Sequence, residues 1–186
     1  MNRTNGRIAE ESKKRFAEGL LELMKTYPYP DITVTQLSQE AALSRKTFYR
    51  LFNDKDDVLK LLFDGLYYEC FTQIKGQNIR RYWDLVQLYF DFWESRKEIL
   101  LLLSRNGLLP RLFEYVYRNA QPIFTAVRTE ETTQSFAPTL PYLLAYSVGG
   151  MHGMLMKWAE SGMTTPSTAL IEQLKVGFQS PDVRHD

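Results

Sequence analysis

One cysteine, Cys70, is all that the 186 residues contain, so no disulfide can form within the chain. Histidine is almost as scarce, with only His152 and His185. Those three side chains cannot supply a zinc-ligand set. A phosphate-cradling glycine loop and a credible Ser-His-Asp spacing are missing too, which argues against an enzyme and predicts neither a metal site nor a cofactor. Long hydrophobic runs are absent as well. The most apolar stretch, residues 99–103, is far below the ~20 residues that cross a bilayer, so no membrane partner is expected. The opening MNRTNGRIAEESKKRF holds no apolar signal segment, and with the lone cysteine it predicts a cytoplasmic setting.

A charge surplus is a further absence. Lys and Arg number 23 against 22 Asp and Glu, a formal charge of +1, so any basic surface must be local. Residues 1–50 hold nine basic against six acidic side chains, and the remainder balances to minus two. What is plentiful is apolar surface: 44% hydrophobic residues suffice for a buried core.

That apolar content is laid out with helical periodicity. Ile8, Phe16, Leu20, Leu23, Met24 and Tyr27 form one stripe, with Ser12 filling its missing step, and Pro28 and Pro30 stop it. Thr33 reads as the N-cap of a short second helix striped by Val34, Leu37 and Ala41. Ser44 then caps a third, in which Phe48 and Phe52 face inward. Asn53 with Asp56 and Asp57 reads as the cap and acidic first turn of a fourth helix, striped from Val58 to Cys70 and ending near Gly76. Further helices are predicted over residues 79–93, 95–105, 108–127 with a kink at Pro122, 138–161, and 166–178 behind a Thr165 cap. Strand alternation is not found, so the expected class is all-α. We divide it into a helix-turn-helix domain at 1–53, a linking helix at 54–75, a helical ligand-binding and dimerisation domain at 76–180, and a loose tail at 181–186.

Two short helices joined by a tight turn and packed on a longer one describe a helix-turn-helix, whose second helix enters the major groove. Its outward face here is Arg45, Lys46, Thr47, Tyr49 and Arg50, types suited to phosphates and base edges. Ser44, Thr33 and Thr35 add donors at the helix starts, and Lys55 adds a cation at the start of the fourth helix. A cluster of this size is often only a solvated helix face. Its coincidence with the turn and the short preceding helix favours DNA.

The stretch TVTQLSQEAALSRKTFYRLFNDKDDVL resembles the helix-turn-helix of TetR/AcrR-type regulators through Leu37, Ala41, Ser44, Thr47, Tyr49, Phe52, Lys55 and Leu59, with the match covering residues 8–70. Such regulators usually have glycine where Ala42 stands and often a small residue in place of Lys46. The resemblance implies a repressor that binds a palindromic double-stranded operator as a homodimer and is released by a ligand. A helical protein-interaction module with a vestigial helix-turn-helix is the alternative.

Pairing is expected from the last two helices. Residues 142–158 are hydrophobic nearly all round, and Gly149 and Gly153 lie one turn apart, which allows close helix approach. Tyr142, Tyr146, Gly149, Gly153, Met156, Leu170 and Leu174 are the candidate dimer face, in keeping with a resemblance to the four-helix dimer interface of the same superfamily. An intramolecular core helix with incidental glycines is the plainer reading. For a small apolar or aromatic ligand the candidate lining is Tyr67, Trp83, Phe90, Trp93, Phe113, Tyr117 and Phe124, although aromatics at helical spacing also fill ordinary cores. His152 fits a buried side chain better than a pocket donor.

Overall fold

In a computed structural model, residues 3–77, 79, 81–126 and 134–179 are described, and among them the regular structure is helical, without a strand. The chain divides into two compact units, Met1–Tyr68 and Glu69–Asp186, and the division falls inside one helix. The predicted tail at 181–186 and most of the polar stretch at 128–135 lie outside the described residues.

The first unit holds α1 (Arg3–Met24), a single 3-10 turn (Tyr29–Asp31), α2 (Val34–Glu40), α3 (Arg45–Leu51) and the greater part of α4 (Lys55–Lys75). Its core gathers Phe16 and Leu20 of α1, Leu37 of α2, Phe48 of α3, and Val58 and Leu59 of α4, all with no accessible surface. Ser12 does fill the α1 stripe: it is buried and its hydroxyl donates to the Ile8 carbonyl at 2.8 Å. Ile8 itself is exposed, one turn too early for the core, and α1 stops at Met24, before the prolines. The α4 cap is Asp54 rather than Asn53, because Asp54 Oδ1 accepts from the amides of Asp56 at 2.8 Å and Asp57 at 3.1 Å. Asn53 instead donates its backbone and side-chain N–H to Asp57, both at 2.8 Å, and these bonds hold the Asp57 carboxyl below the usual range.

The second unit holds the end of α4, then α5 (Tyr82–Ser95), α6 (Lys97–Arg105), α7 (Leu109–Arg118), α8 (Ala120–Ala126), α9 (Leu140–Glu160) and α10 (Ser167–Gln179). α9 packs on α6, α7 and α8, and α10 lies along α5. Val86, Phe90, Leu100, Leu103, Leu155 and Ile171 are fully buried between them. α6 ends where Gly107 takes φ +68° and the Leu108 amide turns back to the Leu103 carbonyl at 2.9 Å, a left-handed stop open to glycine without steric penalty.

Two expectations need correction here. Residues 108–127 form two helices, not one kinked at Pro122. The Asn119 side chain donates to the Tyr115 carbonyl at 2.8 Å and ends α7, and Pro122 then falls in the first turn of α8, where its missing N–H breaks no helical bond. α10 begins at Ser167, and its cap is tertiary: the Ser167 amide donates to Glu94 Oε1 of α5 at 3.1 Å, while the Thr165 carbonyl accepts the Trp158 indole N–H at 2.8 Å.

Candidate nucleic-acid interface

Three phenylalanines orient α3. The Phe16 ring meets Phe48 at 5.3 Å and 86° and Phe52 at 5.7 Å and 89°, both edge-to-face, and Phe48 and Phe52 are 5.5 Å apart. Such pairs add to area burial and fix the rotation of a helix about its axis. With Phe48 locked inward, Arg45, Lys46, Tyr49 and Arg50 are all exposed on the other side. The Arg45 guanidinium lies 6.0 Å from the Tyr49 ring centroid, so the two form one cation–aromatic surface.

Ion pairing separates this face from the lysines of α1 and α4. Lys13 and Lys14 of α1, Lys25 just after it and Lys60 of α4 each pair with an acid one turn away, at 2.7 to 3.7 Å. Among the described residues no ion pair forms to Arg45, Lys46 or Arg50. An uncompensated cation cluster on a short rigid helix attracts a polyanion.

Local caps set the entry angles. Thr33 and Gln36 form a reciprocal capping box at the start of α2, with the Gln36 amide 3.2 Å from Thr33 Oγ1. Thr35 is exposed in the same first turn. Ser44 accepts from the Thr47 amide at 3.0 Å, and its Oγ lies 2.9 Å from Thr47 Oγ1, so these two hydroxyls are engaged with each other at the start of α3. In the turn itself Ala42 takes φ +50°, the Ala42 amide donates to Gln39 and the Leu43 amide to Ser38, at 3.0 and 2.9 Å. That Schellman arrangement is the one glycine usually completes, and an alanine there carries a strain of about 1–2 kcal/mol. Arg15 of α1 donates to the Ala42 carbonyl at 3.3 Å, which helps hold the strained turn.

Lys55 is placed differently from the expectation of a phosphate ligand. Its ammonium lies 2.8 Å from the Tyr29 carbonyl, 2.5 Å from Pro30 and 2.9 Å from Ile32, and 4.9 Å from the Tyr29 ring centroid. An ammonium has three donors, so all of them are committed within the protein. The Tyr29 hydroxyl also donates to Asp56, beside Lys55 at the start of α4. Lys55 therefore clamps the connection between α1 and α2 to the first turn of α4.

Most of the expected ligand-pocket residues lie away from a cavity found among the described residues of the second unit. A cavity of about 60 Å³ is lined by twelve residues from the end of α4, α5, α7, α8 and α9, and of the seven aromatics expected there only Phe124 is among them. Phe90 packs on Trp158 at 5.4 Å, and Trp93 is buried against Phe92 at 5.3 Å. Trp83 meets Phe178 at 5.6 Å, and Phe113 contacts both Tyr117 at 5.9 Å and the His152 ring at 4.7 Å. Tyr67 is half-buried in the first unit. The actual polar groups of the cavity are Tyr82, Tyr89 and Ser147, missed because hydroxyls from separate helices converge only in the tertiary fold. His152 is buried off the cavity lining, and burial pulls its imidazole down to about 4.

On the proposed dimer helices, Tyr142 and Tyr146 are 78% and 71% exposed, extreme values for tyrosine on an apolar helix. Gly153 is exposed and Gly149 half-buried, and a methyl added at either would meet nothing within 4 Å. Met156, Leu170 and Leu174 are half-buried. Val176 and Phe178, 68% and 65% exposed, belong to the same class of side chain and lie on α10 beyond the residues expected.

No protein-family model matches the sequence. The chain is 25% identical over 170 residues to the HTH-type transcriptional regulator HbdR of Aromatoleum sp. (strain CIB), a match that spans 84% of this chain and 74% of that protein. Among solved structures, the fatty acid degradation regulator FadR from Bacillus halodurans aligns over 94% of this chain and 97% of its own, at 14% identity and a TM-score of 0.61. The fold is thus a shared one, a helix-turn-helix unit followed by a helical unit, and neither comparison singles out the TetR/AcrR type.

Proposed function

We propose that this chain is a ligand-responsive, DNA-binding transcription regulator of the TetR/AcrR type, a cytoplasmic homodimer that holds a palindromic operator and is released from it by a small apolar ligand. One observation carries the reading: Arg45, Lys46 and Arg50 stand exposed on α3 with no ion pair among the described residues, while Lys13, Lys14, Lys25 and Lys60 each pair with an acid. The TetR/AcrR assignment draws on the residues of the helix-turn-helix, and the regulator named HbdR supports the broader class.

In this reading α3 lies in the major groove, Arg45 and Lys46 reach base edges or phosphates, and Thr35 and Tyr49 donate to the backbone, while the Thr33 hydroxyl, which donates to Gln36 at 2.8 Å, sets the start of α2. Dimerisation through Tyr142, Tyr146 and the glycine face of α9, with α10, joins two such heads. α4 supplies the connection: one continuous helix, its first turn clamped by Lys55 in the first unit and its last turn contributing Ile74 to the cavity of the second. A ligand that displaces the cavity wall then shifts the helix on which the head is mounted.

Fluorescence anisotropy of the full chain on duplexes from the DNA flanking its own gene tests the proposal. Expected is saturable binding to one duplex, at least ~10³-fold tighter than to scrambled DNA, with a steep loss of affinity as salt rises. Equal, weak binding to every duplex would overturn it and favour the interaction-module alternative.

A further inference from the structure

The cavity of the second unit has a lining specific enough to name a ligand class. None of its lining residues is Lys, Arg, Asp, Glu or His; the polar groups are the hydroxyls of Tyr82, Tyr89 and Ser147 among aliphatic side chains, Phe124 and Met151. An ion buried there would lose its hydration without a counter-charge, a penalty of several kcal/mol. The ionisable groups nearby are themselves held neutral: burial pushes up the phenols of Tyr82 and Tyr89, and raises the Cys70 thiol beside Tyr89 to about 12. Tyr82 and Ser147 both line the cavity. Each of the two hydroxyls has one proton to donate, and a single ligand oxygen with two lone pairs can accept from both.

Size adds a second constraint. About 60 Å³ is below the ~150 Å³ in which benzene is known to sit, so a ring-sized ligand must move the wall. The wall includes Ala120, Ile123 and Phe124 of α8, a helix of seven residues, too short to hold its place except by packing.

We propose that this cavity takes an uncharged molecule with a compact apolar body and one hydroxyl or carbonyl oxygen, which accepts from the Tyr82–Ser147 pair while the body displaces α8. The inference rests on the reading of the second unit as the effector-binding part, and names the chemistry of the effector.

Three probes of one size isolate charge: benzyl alcohol, benzylamine and benzoate, which at pH 7 are neutral, cationic and anionic. Titrated into the full chain labelled with 13C-methyl methionine, benzyl alcohol is expected to shift the Met151 methyl saturably, leaving Met154 and Met156 of the same helix in place. The two ions are expected to leave Met151 unmoved at equal concentration. Ser147→Ala and Tyr82→Phe should each weaken benzyl alcohol about five- to ten-fold and leave toluene unaffected. Ion binding as tight as that of the alcohol, or an alcohol indifferent to both hydroxyl deletions, would overturn the ligand class while leaving the cavity as an effector site. No probe moving Met151 up to its solubility would overturn the cavity itself as the effector site, and operator binding would stand apart from both results.

Discussion

The two units solve opposite problems. In the first, short helices are fixed by a dense set of specific contacts: edge-to-face rings, two capped helix starts, a Schellman turn and the Lys55 clamp. Among its described residues, the cations of α3 are grouped on one exposed face without ion pairs. The second unit packs more helices around an apolar interior, and what it leaves unfilled is apolar too: a cavity, and an exposed tyrosine face. A rigid head with unspent charge suits reading a stiff polyanion, whereas a unit with unspent apolar surface suits binding ligands and copies of itself. The difference assigns the work of each part more firmly than either part does alone.

The sharpest way to break that comparison is to fill the face of α9. Gly153 faces open space, so Gly153→Leu leaves the fold of one chain unstrained and gains about 1 kcal/mol of helix propensity. If copies meet there, sedimentation will show dissociation toward monomer, and operator affinity will drop by about 10²-fold or more as the two heads lose each other's effective concentration. A mutant that remains dimeric and binds normally removes this face from the interface.

Lys55 tests whether the head is rigid by design. Lys55→Met keeps the stem and deletes the clamp, and should lower stability by about 2 kcal/mol because three carbonyls lose charge-assisted bonds. Affinity for DNA should fall while its salt slope stays unchanged, since no phosphate contact is lost. A slope reduced by about one ion, with stability intact, would make Lys55 a phosphate ligand after all.

A similar magnitude is expected from acid in the second unit. His152 is held near 4 when folded against 6.5 in its ordinary state, so protons favour the unfolded chain between those values. Stability is therefore full above about pH 6.5 and declines as pH falls toward 4, by about 2 kcal/mol between pH 7 and 5. Amide exchange should register the loss in α7 and α9, and His152→Gln should remove it.

The smallest effect belongs to the turn. Ala42→Gly is expected to stabilise the head by about 1 kcal/mol through relief of φ +50°. A melting temperature that falls instead would mean that the entropy of the unfolded glycine outweighs the strain.

How much of this the sequence discloses depends on how local the cause is. Phe16, Leu20, Phe48 and Phe52 follow one-sided stripes, so the helix-turn-helix core and its outward cations are legible from spacing alone. The break at Asn119 is hidden because a proline three residues later is the stronger local signal. Lys55 at a helix start has the pattern of an exposed cation, and the three carbonyls around it are set by a turn more than twenty residues upstream. The aromatics expected in a pocket but found outside this cavity show the same limit. Phe90 and Phe124 both fall at helical spacing, and only the packing of neighbouring helices decides that Phe90 meets Trp158 and Phe124 meets empty space.

The central claim is that unpaired charge on α3 reads DNA, and a triple substitution addresses it most directly. Arg45→Ala, Lys46→Ala and Arg50→Ala together remove exposed side chains without ion pairs, so the melting temperature should hold to within about 0.5 kcal/mol of stability. Anisotropy titrations across a salt series should then show operator affinity reduced by at least ~10²-fold and a visibly flatter dependence on salt. A folded triple mutant that binds the operator with the parent affinity and the parent salt slope would contradict the account.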